Sequence, residues 1–202
     1  MRISDLVKIA KNLKSGKSGG GGLVQLEGNV IYMTNSKHSI ALKIYSYGLF
    51  ETPEHIGTGT LHTNDLEDVD RIERRDGKVL IGERMIPEKP SFSDKVEEVM
   101  NKYYKEPNIP IGKALFKNLE DQLVVRLIGE GDKIKISQLG IERWISVNGV
   151  EAKGDVTVYT SDLKFLELFN NIKITLTQPM CFEATYNLDK VTGLIAHLVY
   201  ER

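Results

Sequence analysis

Apolar and polar positions recur along this chain in two periods, and each period predicts its own elements. Ile3, Leu6, Val7, Ile9, Ala10 and Leu13 share one face at helical spacing, with Lys8, Lys11 and Asn12 opposite, which predicts a helix over 3–14. The Gly/Ser-rich run 15–22 reads as a loop. Runs of strand character follow over 23–26, 30–34, 40–45 and 58–62, with Glu27-Gly28-Asn29 supplying hairpin chemistry between the first two. Asn64 with Glu67 three residues on, and Leu66, Val69 and Ile72 beyond, predict a capped helix over 64–74. Asp76-Gly77 then turns the chain into a strand over 79–85, and Pro87 and Pro90 mark a connector over 86–91.

Beyond the connector the pattern resumes. Val96, Val99, Met100 and Tyr103 form the apolar face of a helix over 93–105, with Lys95, Glu98, Lys102 and Lys105 on the other face. Strands are predicted over 114–116, 123–128, 133–138, 143–147 and 156–159, a helix over 161–169, and strands over 172–177, 181–186 and 193–200.

Three short matches join the two stretches. Ile3-Ser4-Asp5-Leu6-Val7 returns as Phe92-Ser93-Asp94-Lys95-Val96, Glu27-Gly28-Asn29 as Glu130-Gly131-Asp132, and Thr63-Asn64-Asp65-Leu66 as Thr160-Ser161-Asp162-Leu163. Their common order predicts two copies of one unit of roughly 100 residues. The expected architecture is α+β: two tandem similar domains over 1–85 and 92–202, each an antiparallel sheet with two helices on one face.

Composition narrows the function. A hydrophobic share of 41% with 27% charged residues is that of a soluble globular protein, and no apolar run approaches the length of a membrane span. With no apolar signal core at the N-terminus, a cytoplasmic setting without membrane contact is expected. Gly16-Lys17-Ser18 is not a phosphate loop, because Lys11 stands where that motif needs glycine and a helix precedes it. The histidines His38, His55, His62 and His197 make no ligand pattern, and Cys181 reads as a buried thiol in an apolar strand, so neither metal nor cofactor is expected. No nucleophile turn is present, and an enzyme is not expected; the catalytic alternative is a hydrolase using carboxylates such as Glu54 and Asp65.

Charge is more telling by region than in total. The net charge is −1, yet residues 1–20 carry five cations against Asp5 alone, and residues 51–90 carry ten acids against six bases. A repeated helix with lysines on its outer face could follow a phosphate backbone without reading bases; the plainer reading is a solvated helix face.

Asn35-Ser36-Lys37-His38-Ser39-Ile40-Ala41-Leu42, followed by Gly48-Leu49-Phe50, resembles the D-S-S-H-V-x-L … G-F segment of the DNA sliding clamps, the ring-shaped polymerase processivity factors. The ending 172–177, Pro179, 182–186 and Gly193-Leu194-Ile195-Ala196-His197-Leu198 is similar to the clamp ending. The resemblance implies a homotrimeric ring that encircles duplex DNA and tethers a DNA polymerase, with a clamp loader as a further partner. It implies that Lys8, Lys11, Lys14, Lys95 and Lys102 face DNA, and that His38, Ile40, Met85, Ile86, Leu198 and Tyr200 form a groove for partner peptides. The alternative is a ring-forming β-rich structural protein of a virion or tail, with no DNA in the hole.

Overall fold

The computed structural model describes residues 1–13, 22–46, 59–69, 72–121 and 123–196. The first apolar stripe forms α1 (Ile3–Asn12), where the Asp5 carboxylate accepts a hydrogen bond from the Arg2 amide at 3.2 Å. Four strands follow: β1 (Leu23–Glu27), β2 (Val30–Thr34), β3 (Ile40–Tyr45) and β4 (Gly59–His62). β1 and β2 form the expected hairpin around Gly28, whose φ of 56° suits the turn. The strands β5 (Ile72–Arg75), β6 (Lys78–Ile81) and β7 (Arg84–Pro87) make a separate antiparallel meander.

Here the described residues of the helix predicted over 64–74 are not helical. Residues 63–65 turn, 66–69 have no regular structure, and Ile72–Arg75 is a strand. The three-residue spacing of Leu66, Val69 and Ile72 is real, but Asp76 (φ 51°) and Gly77 (φ 69°) close a two-residue hairpin that requires extended chain on both sides. A second two-residue turn, Gly82-Glu83, likewise splits the strand expected over 79–85.

The second half opens with α2 (Ser93–Tyr103), a short β8 (Ile109–Pro110) and a 3₁₀ turn over Lys113–Phe116. Then come β9 (Val124–Gly131), β10 (Lys133–Gln138), β11 (Ile141–Ser146) and β12 (Ala152–Tyr159). The chain ends in α3 (Thr160–Phe165), a 3₁₀ turn over Leu166–Leu168, and β13 (Asn170–Ile174), β14 (Met180–Tyr186) and β15 (Asp189–Ile195).

The sheet orders expose the repeat. One half has β4-β1-β2-β3 and the other β12-β9-β10-β11, so each strand has a counterpart in the same place. Gly28 and Gly131 (φ 65°) occupy matching hairpin turns. Thr63 and Thr160 are both buried, as are Leu66 and Leu163, after matching strands β4 and β12. β3 continues the first unit's sheet into the second by pairing antiparallel with β15, Leu42 opposite Gly193, which completes an eight-stranded sheet β4-β1-β2-β3-β15-β14-β13-β8. The α+β class and the tandem antiparallel units are those expected.

The two long helices, however, lie on opposite faces of that sheet. Leu6, Val7, Ile9 and Ala10 of α1 pack in the main core with Ile31, Met33, Ile40 and Leu42. Val96 and Met100 of α2 pack in a second, smaller core with Tyr32, Cys181 and Leu194. Tyr32 alternates with Ile31 and Met33 along β2, so the two cores are on the two sides of one sheet. The 89-residue sequence match therefore joins helices that are not equivalent in the fold. The second unit's buried 3₁₀ residues Leu115 and Phe116, just ahead of β9, join the same core as α1.

Candidate functional site

α2 is seated by the strands beneath it. The amides at a helix start lack partners within the helix, and α2 has no side-chain cap of its own. Gln25, 1% exposed in β1, supplies one: its Oε1 accepts from the amides of Phe92 at 2.8 Å and Ser93 at 3.0 Å. Its Nε2 donates to the hydroxyls of Ser91 and Ser93, both at 2.9 Å. One turn on, Glu97 accepts from Tyr32 Oη at 2.7 Å and Lys43 Nζ at 2.5 Å. Burial alone would raise the Glu97 carboxyl, but these hydrogen bonds outweigh it and hold its pKa below the ordinary range. Burial, with the Glu97 bond, pushes the Tyr32 phenol up. At the far end the Lys105 amide donates to Cys181 Sγ at 3.2 Å, so the thiol is buried and structural, as its apolar run predicts.

Held there, α2 forms one wall of an apolar groove of about 340 Å³. Val99 and Tyr103 line it from α2, His38, Ser39 and Ala41 from the first unit, and Gln178, Pro179, Leu194 and Ala196 from the second. The groove straddles the β3–β15 seam, where the Ala196 amide donates to the Ser39 carbonyl at 2.7 Å. Val99 (40% exposed) and Tyr103 (42%) are large apolar side chains open to solvent at its rim.

Of the residues expected in a docking groove, the structure brings His38 to it. Ile40 does not line it: the side chain points to the opposite face of β3 and is buried in the main core, while its neighbour Ala41 faces the groove. Met85 and Ile86 lie on β7 of the separate meander and are not lining residues; Ile86 is buried in the main core and Met85 is exposed. Leu198 and Tyr200 lie outside the described residues. Val99, Tyr103, Pro179, Leu194 and Ala196 carried no sequence signal for the groove beyond their apolar character, because elements far apart in the chain bring them together.

The lysines divide by face. Lys8 and Lys11 are exposed on α1, and Lys14 lies outside the described residues. Lys95 and Lys102 are exposed on α2, across the sheet from α1, so a single wall formed by both helices is ruled out. Lys102 instead sets its ammonium 5.0 Å from the Tyr103 ring centre, at the groove rim. Among the described residues, no group of three or more His, Cys, Asp or Glu side chains could hold a metal ion, and no helix is long and apolar enough to cross a membrane. Glu54 of the carboxylate alternative lies outside the described residues.

Two of the sheet edges among the described residues, those of β11 and β7, carry exposed apolar side chains. Among the described residues no strand pairs with the outer edge of β11 or of β7. Leu139, Ile141 and Trp144 on or beside β11, and Met85 on β7, are exposed large apolar side chains.

No family model and no curated protein matches the sequence. Solved structures do match the fold. The DNA polymerase sliding clamp of Pseudomonas aeruginosa aligns over 98% of this chain and 64% of its own length, with a TM-score of 0.65 at 11% identity. The beta subunit from the DNA polymerase of Streptococcus pyogenes aligns over 99% and 63%, with a TM-score of 0.57 at 12% identity. Proliferating cellular nuclear antigen from Entamoeba histolytica aligns over 96% and 94%, with a TM-score of 0.58 at 11% identity. The chain thus spans just under two thirds of the bacterial subunits and nearly all of the amoebal protein, and it has the sliding-clamp fold.

Proposed function

We propose that this protein is a DNA polymerase processivity factor that closes into a ring around duplex DNA and tethers replication proteins through the His38 groove. One observation carries the reading. β3 finds its partner β15 inside the chain, whereas its counterpart β11 is open, and so is β7, the last strand of the first unit's meander. Pairing β11 of one copy with β7 of the next would repeat the β3–β15 seam between copies. Such a head-to-tail contact gives a ring where its rotation closes, as this reading requires. With the unit boundary at the connector expected over 86–91, each chain would contribute two units, and the ring of six units that the resemblance implies would be a homotrimer.

The open edges support this use. An exposed apolar edge strand invites pairing with another chain, and Ile141, Trp144 and Met85 would be covered in the junction. Met85 is thus assigned to the junction between copies. Inside the ring, Lys8 and Lys11 of α1, with Lys14 following, are proposed to contact phosphates without reading bases. Lys95 and Lys102 sit on the outer, groove-bearing face. One groove per chain follows from loop length: five residues, 35–39, join β2 to β3, but only Leu139-Gly140 joins β10 to β11.

The reading is tested by primer extension on a long circular template with the cognate polymerase, a clamp loader and ATP. The expected result is longer products that require this protein and are lost with Trp144→Glu. Rings with no effect on product length would favour the structural-protein alternative.

A further inference from the structure

The loop that carries His38 is gripped from the other unit by a buried carboxylate. Asp162, 3% exposed in α3, accepts a 2.6 Å hydrogen bond from the Ser39 hydroxyl. Inside the loop, Asn35 Oδ1 accepts from the amides of Ser39 at 2.9 Å and Ile40 at 3.2 Å, and Asn35 Nδ2 donates to Ser39 Oγ at 2.8 Å. Ser39 therefore joins the loop's internal knot to the second unit, and it also lines the groove. His38, one residue earlier, has φ 54°, a left-handed backbone that a side-chain-bearing residue keeps where its surroundings fix it. Lys37 adds a second contact beside this grip, its ammonium 4.8 Å from the Tyr159 ring centre.

We infer that Asp162 is a positioning residue for the groove: by holding Ser39 it fixes where His38 stands, so that α3 of the second unit sets the docking competence of a wall built by the first. The inference rests on the groove being a docking site, as proposed above. It also gives a role to the Thr160-Ser161-Asp162-Leu163 copy of the repeat that Asp65 cannot share, because the matching turn Leu139-Gly140 is too short to offer a counterpart of Asn35–Ser39.

The test uses the full chain, indole as an apolar probe of the groove, and the His38 ring and backbone amide resonances as readouts. Ser39→Ala and Asp162→Ala should each weaken indole binding by about fivefold or more, the worth of one such hydrogen bond. Each should also lower the exchange protection of the Ser39 and Ile40 amides, with the amides of β9 and β10 unchanged. Asp162→Asn keeps an acceptor oxygen and should behave as wild type, and Ser39→Ala with Asp162→Ala should be no worse than either alone. Wild-type behaviour of either alanine variant, an asparagine variant as impaired as alanine, or a uniform loss of protection would overturn the inference. If indole binds but polymerase is not stimulated, the processivity reading fails while the positioning role stands. If indole does not bind the wild-type groove, the docking premise fails and amide protection alone decides the role.

Discussion

Single residues decide how closely the two units meet. At Gly193, a Cβ would lie 2.5 Å from the ring of the buried Phe182 on β14 and 2.8 Å from the Ala41 carbonyl oxygen across the seam, so one of them would have to shift. Gly193→Ala should therefore cost about 1–3 kcal/mol, as overpacking does, read as a lower denaturant midpoint; an unchanged midpoint would mean the seam is looser than described. Two carboxylates titrate in opposite senses. Glu97 has a depressed pKa in the folded chain, so its contribution is present above its ordinary 4.5 and is lost as pH falls through the folded value. The stability lead of wild type over Glu97→Gln should shrink on acidification. Burial raises Asp162 despite its Ser39 bond and the nearby Lys37 charge, so ionising it in the folded chain costs stability as pH rises above 3.8. Wild type should lose ground to Asp162→Asn over that rise, and parallel pH–stability curves for either pair would contradict these assignments. The role of Gln25 has a sequence signal: an amide within the apolar run Leu23-Val24-Gln25-Leu26 needs buried partners.

At the scale of elements, hairpins and amphipathic helices were readable because their causes are local. Gly28, Gly131 and Asp76-Gly77 sit at turns where positive φ is required, and the α1 stripe packs as its spacing predicts. Two elements depart from their local pattern for non-local reasons. Leu66, Val69 and Ile72 fit a helix by spacing, but hairpin pairing beyond them prevails. Nothing in the pattern of α2 says which side of a sheet it covers; Gln25 and Tyr32, more than sixty residues away, determine that. The lysine faces part for the same reason. Lys8→Ala with Lys11→Ala should weaken retention on DNA and reduce the salt slope by up to ~2 units, whereas Lys95→Ala with Lys102→Ala should leave the slope unchanged. Binding measured across a salt series checks both, and a reduced slope in the second pair would return α2 to the DNA side.

For the molecule as a whole, the duplication was visible in three short matches, and two of them fall on equivalent places in the fold. The groove was legible only at His38, because its remaining walls come from α2, β15 and the segment around Pro179, which meet only once the sheet has formed. β11 and β7 are edge strands of the two smaller sheets, each paired on one side only among the described residues, and the proposed ring depends on their meeting between copies. The most direct measurement is therefore mass in solution at micromolar concentration, by sedimentation or light scattering, for wild type and for Trp144→Glu. The account predicts three times the chain mass of 22.7 kDa for wild type, falling toward a single chain when a charge enters the β11 edge. A wild-type protein that remains at 22.7 kDa, or a trimer indifferent to Trp144→Glu, would contradict it.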